Sequence, residues 1–166
     1  EDFTTASGTT PPTNWTNTYG IGTATDLWHF DNPGSLVLPF PLSGKVAVFD
    51  AATISGNASL EEAILESPFI DASVSNNIFL VADYQFTAGT GAMGFVEAFD
   101  GNAWQVTKII NVSTDGVEKL VVDLSAYVGG ITNSKIRFRW LGNGQGWWAV
   151  DNIQIVAPLQ NDAGII

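Results

Sequence analysis

An aspartate and an asparagine interrupt an apolar, strand-like run near the end of this 166-residue chain. The run, WWAVDNIQIV (147–156), places Asp151 and Asn152 among Trp, Val and Ile side chains. A buried carboxylate without a partner costs several kcal/mol, so the pair must be satisfied in some way. A bound cation would satisfy it, and so would capping backbone amides. The residues alone leave both interpretations open.

The two tryptophans of the same run must point to opposite faces of a strand. Trp148 shares its parity with Val150, so we assign it to the core and keep Trp147 as a surface candidate for ligand binding. The parity then breaks, because the isoleucines after Asn152 also require the core side, which predicts a bulge at Asp151–Asn152. Trp104, which follows a DGN turn, is a second candidate for stacking on a sugar ring. Packing under loops is the alternative for both tryptophans.

Catalytic chemistry finds little support in the residue types. The chain has one histidine, His29, and no cysteine, and it lacks the Gly-x-Ser-x-Gly pattern that presents a nucleophilic serine. A glycosidase needs two carboxylates facing one cleft, yet no strand shows alternate carboxylates on one face. Glu97, for example, is flanked by two phenylalanines. We therefore predict that the chain is not an enzyme and keep a glycosidase only as an alternative.

The charge distribution favours cations as partners. The formal net charge is −11, and residues 1–100 hold twelve acidic residues against the single Lys45. Such a chain repels phosphate backbones, which argues against nucleic acids and anionic membranes. Ca²⁺ takes oxygen ligands from carboxylates, carbonyls and amides, and the acidic segments of the first half supply them. No EF-hand pattern is present, and solubility alone is the simpler explanation of the charge.

The elements that must position these residues are strands. Eight short runs rich in Val, Ile, Phe and Trp are separated by Gly, Asn, Asp and Pro clusters. Such a pattern predicts an all-β fold with two antiparallel sheets packed as a sandwich. Residues 58–67 are expected to form one helical turn at most, giving way to a strand before Pro68. Residues 1–44 are predicted to be a long ordered loop that buries its TDLWHF and LVLPF segments.

No apolar run approaches the roughly 18 residues that span a membrane, so no membrane insertion is expected. Residues 1–157 are predicted to form a single β-sandwich domain. Residues 158–166 follow the last strand with a proline and are predicted to be a linker toward a neighbouring domain.

Several motifs occur in an order that resembles a known family: an initial E-x-F, PPTNW, LESPFIDAS, LVADYQF, VEAFDGNAWQV, VVDLSAYVGG, IRFRW and WWAVDNIQI. Together they resemble the cleaved-adhesin and choice-of-anchor J domains of large bacterial secreted and surface proteins, relatives of the MAM domains. The resemblance implies a jelly roll of the MAM or galactose-binding type that is non-catalytic and carries structural calcium.

The resemblance also implies the calcium ligands. It selects Glu1 and Asp151, with Asp2 and Asn152 as their neighbours. The family's Asp/Gly-rich loop before the tryptophan is here YGIGTATDLW, with Asp26 as its only acid, so a second site in that loop is in doubt. Asp31 is the candidate that would replace it.

Together with this resemblance, the sequence predicts a secreted or cell-surface, calcium-stabilised binding or adhesion module of a larger bacterial protein. Its expected partners are an extracellular protein or glycan and the neighbouring domains of the parent chain. A carbohydrate-binding module attached to a polysaccharide-degrading enzyme is the main alternative. A glycosidase and a purely structural spacer are the remaining ones.

Overall fold

The computed structural model describes residues 1–56 and 59–158. Within them the chain forms two antiparallel sheets and two single-turn helices, α1 and α2. In chain order the elements are β1 (Thr16–Tyr19), β2 (Ala47–Asp50), α1 (Ala51–Ile54), β3 (Glu61–Glu66), β4 (Phe79–Ala88), β5 (Met93–Phe99), β6 (Trp104–Ile110), β7 (Glu118–Asp123), α2 (Ser125–Val128), β8 (Lys135–Gly142) and β9 (Gly146–Val156). One sheet has the order β1-β3-β8-β5-β6 and the other the order β2-β9-β4-β7. The predicted two-sheet β-sandwich is confirmed.

The core lies between the two sheets and is rich in aromatic rings. Strand β8 alternates as its sequence predicts, with Ile136, Phe138 and Trp140 turned inward and fully or almost fully buried. The ring of Trp148 in β9 lies 5.7 Å from that of Phe138, which joins the sheets at the centre. This packing fixes which residues of each strand face outward.

The first 44 residues are only partly the loop that the sequence predicts. A short strand, β1, pairs with β3, and the aromatic side chains of Trp28 and Phe30 are buried as expected. The prediction that LVLPF is buried is wrong for Val37 and Phe40, which are 91% and 87% exposed. The LVLPF segment covers the outer face of a sheet and not the core, so only some of its side chains can point toward the protein. Leu36 and Leu38 pack on that face beside two buried residues that precede β2, Leu42 and Val46.

Residues 59–67, the described part of the segment 58–67, contain a strand, β3, instead of a helical turn. Glu61, Ala63 and Leu65 face inward, so the alternation of a strand prevails over the helical propensity of Glu, Ala and Leu. The predicted linker, apart from Pro158, lies outside the described residues. No helix among the described residues is long and apolar enough to cross a membrane.

Candidate functional site

The N-terminal residues lie beside the last strand. The amino group of Glu1 donates to the carbonyl oxygen of Ile153 at 2.6 Å, and the Ile153 N–H donates back to the Glu1 carbonyl at 2.9 Å. Phe3 anchors the segment, since its ring is fully buried beside Trp15 and Phe30. The segment thus places Glu1 and Asp2 next to β9, and the Phe3 backbone N–H donates to Glu1 Oε1 at 2.7 Å. Together with Asn152 and Ile153 these residues line an open cavity of about 380 Å³.

The predicted bulge is present in β9. Val81 pairs with Gln154 and Asp83 pairs with Asp151, so β9 has two residues where β4 has one. Asn152 occupies the left-handed region with a φ of 53°, a conformation that asparagine tolerates better than most residues. Its side-chain amide donates to Asp83 Oδ2 at 3.0 Å. Because of the bulge, the Ile153 side chain points into the core after Asp151. The hydrogen bond of Asn152 to Asp83 links β9 to β4.

Asp151 is a buried carboxylate that lacks a cationic partner among the described side chains. It is 3% exposed, and its Oδ1 is buried without a hydrogen-bond partner within the described part of the chain. The residue opposite it, Asp83, is equally buried but is held by Lys119 Nζ at 2.6 Å. Of these two opposed carboxylates, only Asp83 thus contacts a lysine.

Burial raises the pKa of Asp151 to about 6. The charges of Asp2 and Asp83 contribute to this raised pKa, whereas a hydrogen bond from the Asn152 backbone N–H opposes it. Asp2 differs, because hydrogen bonds from the Thr4 backbone and hydroxyl lower the pKa of its exposed carboxyl. The electrostatic environment of Asp151 is therefore one that a cation would complement.

The structure brings together four of the five residues predicted to bind calcium: Glu1, Asp2, Asp151 and Asn152. Asp31 lies apart from them. Its neighbour His29 bridges to Val48 of β2, so β2 separates this segment from β9, and the Asp31 carboxylate contacts the His29 ring at 3.3 Å. Within residues 1–56 and 59–158, no three His, Cys, Asp or Glu side chains are arranged to hold a metal ion. A calcium ion here would need backbone, amide or water oxygens as well.

Asp26, the single acid of the YGIGTATDLW loop, already has partners. Its Oδ1 accepts from the Ser55 hydroxyl at 2.8 Å, and its Oδ2 accepts from the Thr23 backbone and hydroxyl. Donors of the chain itself therefore satisfy this buried carboxylate.

The two adjacent tryptophans point to opposite faces as predicted. Trp148 is fully buried in the core. Trp147 lies on the outer face of the four-stranded sheet, where it is half-buried against a small apolar cluster that includes Leu42 and Val48. Its surroundings are thus those of a ring packed under the segment that precedes β2.

Trp104 lies on the outer face of the five-stranded sheet and is half-buried as well. The guanidinium of Arg137 lies over its ring, 4.2 Å from the centroid, and the ring of Phe99 is 5.5 Å away. Arg137 also donates to Glu97 Oε2, and Arg139 contacts both oxygens of the same carboxylate. These two arginines lower the pKa of Glu97 in spite of its burial. The sheet face around Trp104 thus carries a fixed network of charges and rings.

Sequence reasoning missed several of these residues. Asp83 is a lone carboxylate in an apolar strand, which is the same signal that drew attention to Asp151. The ion pairs of Glu97 follow from the pairing of β5 with β8, in which Glu97 lies opposite Arg137. The alternation of each strand places the charges of Glu97, Arg137 and Arg139 on the outer face. Only the register between β5 and β8 shows that they are in contact.

Comparison with solved structures finds the same fold in bacterial adhesin domains. The K1 cleaved adhesin domain of Lys-gingipain from Porphyromonas gingivalis is similar to this chain with a TM-score of 0.69 and 12% identity, over 96% of this chain and 97% of that one. The K3 domain of the same protein gives 0.68 and 16%, over 93% and 94%. The chain therefore has the adhesin-like jelly-roll fold.

A sugar-bound structure also has this architecture. TmCBM61 in complex with β-1,4-galactotriose is similar with a TM-score of 0.61 and 11% identity, over 95% of this chain and 94% of that one. No family model and no curated protein sequence matches the chain.

Proposed function

We propose that this chain is a non-catalytic, calcium-stabilised binding or adhesion module of a larger secreted or cell-surface protein. The observation that carries the proposal is the buried, unpartnered Oδ1 of Asp151, close enough to the Asp2 carboxylate for that charge to raise its pKa. The fold that the chain shares with cleaved adhesin domains and with TmCBM61 supports the binding role. Its partners would be an extracellular protein or a glycan, together with neighbouring domains.

A cation fits the residues around Asp151 in kind and in charge. Carboxylate and amide oxygens are the ligands that Ca²⁺ prefers, and Asp151, Glu1 and Asn152 supply them on two segments that backbone hydrogen bonds hold together. When bound, the ion would neutralise charge and link the N-terminal segment to β9. Its role would thus be structural, because it would join the first and the last described parts of the sandwich.

The carboxylates at hand do not resemble a hydrolytic pair. Glu97 is held by Arg137 and Arg139 through both of its oxygens, which lowers its pKa and opposes any role as a general acid. Glu61 accepts hydrogen bonds from the Trp140 indole and from the Gly144 backbone, and it faces inward. This environment supports binding rather than glycoside hydrolysis.

Thermal melting with and without calcium tests the proposal. At about 10 mM Ca²⁺, a site with a dissociation constant of about 10⁻⁴–10⁻³ M would add about 1.4–2.7 kcal/mol of stability, so the wild-type melting temperature should rise relative to a chelator. The rise should be lost in Asp151→Ala and kept in Asp115→Ala, which removes an exposed acid from the β6–β7 loop. Equal wild-type melting temperatures in calcium and chelator would overturn the calcium part.

A further inference from the structure

We infer that the outer face of the five-stranded sheet binds a neutral, hydroxyl-rich polysaccharide chain, with Arg137 and Trp104 at its centre. The inference rests on the proposed binding function and names the ligand class and the surface for it.

The face is organised along β8. Ile136, Phe138 and Trp140 face the core, so Lys135, Arg137 and Arg139 face outward in a row about 13 Å long. Their partners on β5 are Phe99, Glu97 and Phe95, in that order. An extended ligand that runs along β8 would therefore meet the three cations in turn, with Phe99 and Trp104 beside the row.

Each cation of the row lies over an aromatic ring. Lys135 Nζ is 4.4 Å from the centre of Phe69, Arg137 is 4.2 Å from that of Trp104, and Arg139 is 4.0 Å from that of Phe95. Stacking restricts these long side chains to a few conformations before any ligand arrives. A preorganised surface loses less conformational entropy on binding than a mobile one does.

The same cations are paired with carboxylates on both sides. Glu97 on β5 contacts Arg137 and Arg139, while Glu62 and Glu66 on β3 contact Arg139 and Lys135. Glu97 is itself buried, so the acceptors that the face offers are the carboxylates of Glu62 and Glu66, next to the N–H donors of the cations. Sugar hydroxyls both donate and accept hydrogen bonds, so such mixed pairs match them.

Charge selects the class of polysaccharide. The three cations of the row and their three carboxylates cancel, whereas the whole chain carries a formal net charge of −11. A polyanion, such as a uronic-acid or sulfated polymer, would gain no net attraction at the face and would be repelled by the rest of the protein. A neutral polymer avoids this cost.

Apolar side chains surround the charged centre and remain accessible. Phe69 is 61% exposed, Ile109 on β6 is 50% exposed, and Val106 on the same strand is 46% exposed. Ile109 lies opposite Phe95 and Val106 lies opposite Glu97, so both are on the outer face. Sugar rings have apolar C–H faces as well as hydroxyls, and a polar centre with an apolar margin complements both.

Affinity gel electrophoresis with β-1,4-galactan, xylan and glucomannan tests the inference, with polygalacturonate as the anionic probe. We expect at least one neutral polymer to retard the wild-type protein and polygalacturonate to leave its mobility unchanged. Trp104→Ala and Arg137→Gln should each weaken the retardation about tenfold or more, since each removes a central contact. Ile109→Ala, a milder change at an exposed position, should weaken it less. Val121→Ala, at a 60% exposed position on the other sheet, is the matched control and should bind like the wild type.

Melting curves of each variant separate loss of binding from loss of folding, and glucomannan titrations followed by tryptophan fluorescence provide a second readout. The inference is overturned if no neutral polymer retards the wild type, if polygalacturonate is bound instead, or if folded Trp104→Ala and Arg137→Gln bind like the control. In each of these cases a calcium-dependent rise in melting temperature would still support the proposed module. Loss of that rise with glycan binding intact would overturn only the calcium part.

Discussion

Asp83 of β4 lies directly opposite Asp151 of β9, and Lys119 neutralises only the first of the two. Like charges directly opposite each other across a sheet destabilise the pair. Both residues are 3% exposed, so water screens their charges poorly. The arrangement therefore stores an unfavourable interaction that either a proton or a cation on Asp151 relieves.

The first prediction concerns pH in the presence of a chelator. The pKa of Asp151 rises from 3.8 to about 6 on folding, so between these values the folded chain binds more protons than the unfolded chain. The free energy of unfolding should therefore fall as pH rises through this window, by about 3 kcal/mol once the group is ionised. Asp151→Asn lacks this titration and should become more stable than the wild type above about pH 6.

Urea unfolding at pH 4 and pH 8 measures the difference between the two proteins at each pH. Other groups titrate in both proteins. Only the change with pH in the stability difference between the two proteins therefore reports the titration of Asp151. In about 10 mM calcium at pH 8 we expect the advantage of Asp151→Asn to shrink or reverse. A difference that does not depend on pH in chelator would contradict the assignment of the buried charge.

The second prediction concerns the lysine that Asp83 holds. Lys119→Gln leaves two buried carboxylates opposite each other without a cation, and it should lower the free energy of unfolding by about 1–2 kcal/mol in chelator at pH 8, less than for a fully buried pair because Lys119 is largely exposed. Lys108→Gln on the edge strand β6 removes an exposed lysine of the same charge and is the matched control. Chemical denaturation compares them, and equal losses in the two variants would show that net charge, not the Asp83 pair, determines the effect.

The difference between what the sequence predicts and what the structure shows has a physical cause at each position. The alternation of β8 and the bulge at Asp151–Asn152 follow from local parity, and both are confirmed. Partners across strands depend on register over long sequence separations, so the contacts of Asp83 and Glu97 could not be predicted from spacing. The exposure of Val37 depends on which surface its segment covers, which composition does not reveal.

The third prediction uses the left-handed conformation of Asn152. Asn152→Gly keeps the backbone conformation but loses the hydrogen bond to Asp83, whereas Asn152→Ala loses the bond and adds steric strain at a φ of 53°. Alanine should therefore be less stable than glycine at this position by about 1 kcal/mol, and both should be less stable than the wild type. Urea denaturation in chelator checks the order. Equal stabilities of the glycine and alanine variants would mean that the bulge relaxes when its side chain is removed.

The fourth prediction concerns the close approach of Gly94 to the core. A Cβ at position 94 would lie 2.9 Å from ring atoms of Trp148, which is fully buried between the sheets. Gly94→Ala should therefore lower the free energy of unfolding by about 1–3 kcal/mol, because β5 or the fully buried ring would have to shift. In Trp148→Phe the smaller ring leaves space for the added methyl group, but it also packs less well against the rest of the core. The double variant should then be more stable than the sum of the two single effects, and a double-mutant cycle by chemical denaturation measures this coupling. Strict additivity would place the cost of Gly94→Ala in the backbone of β5 and not in its contact with the ring.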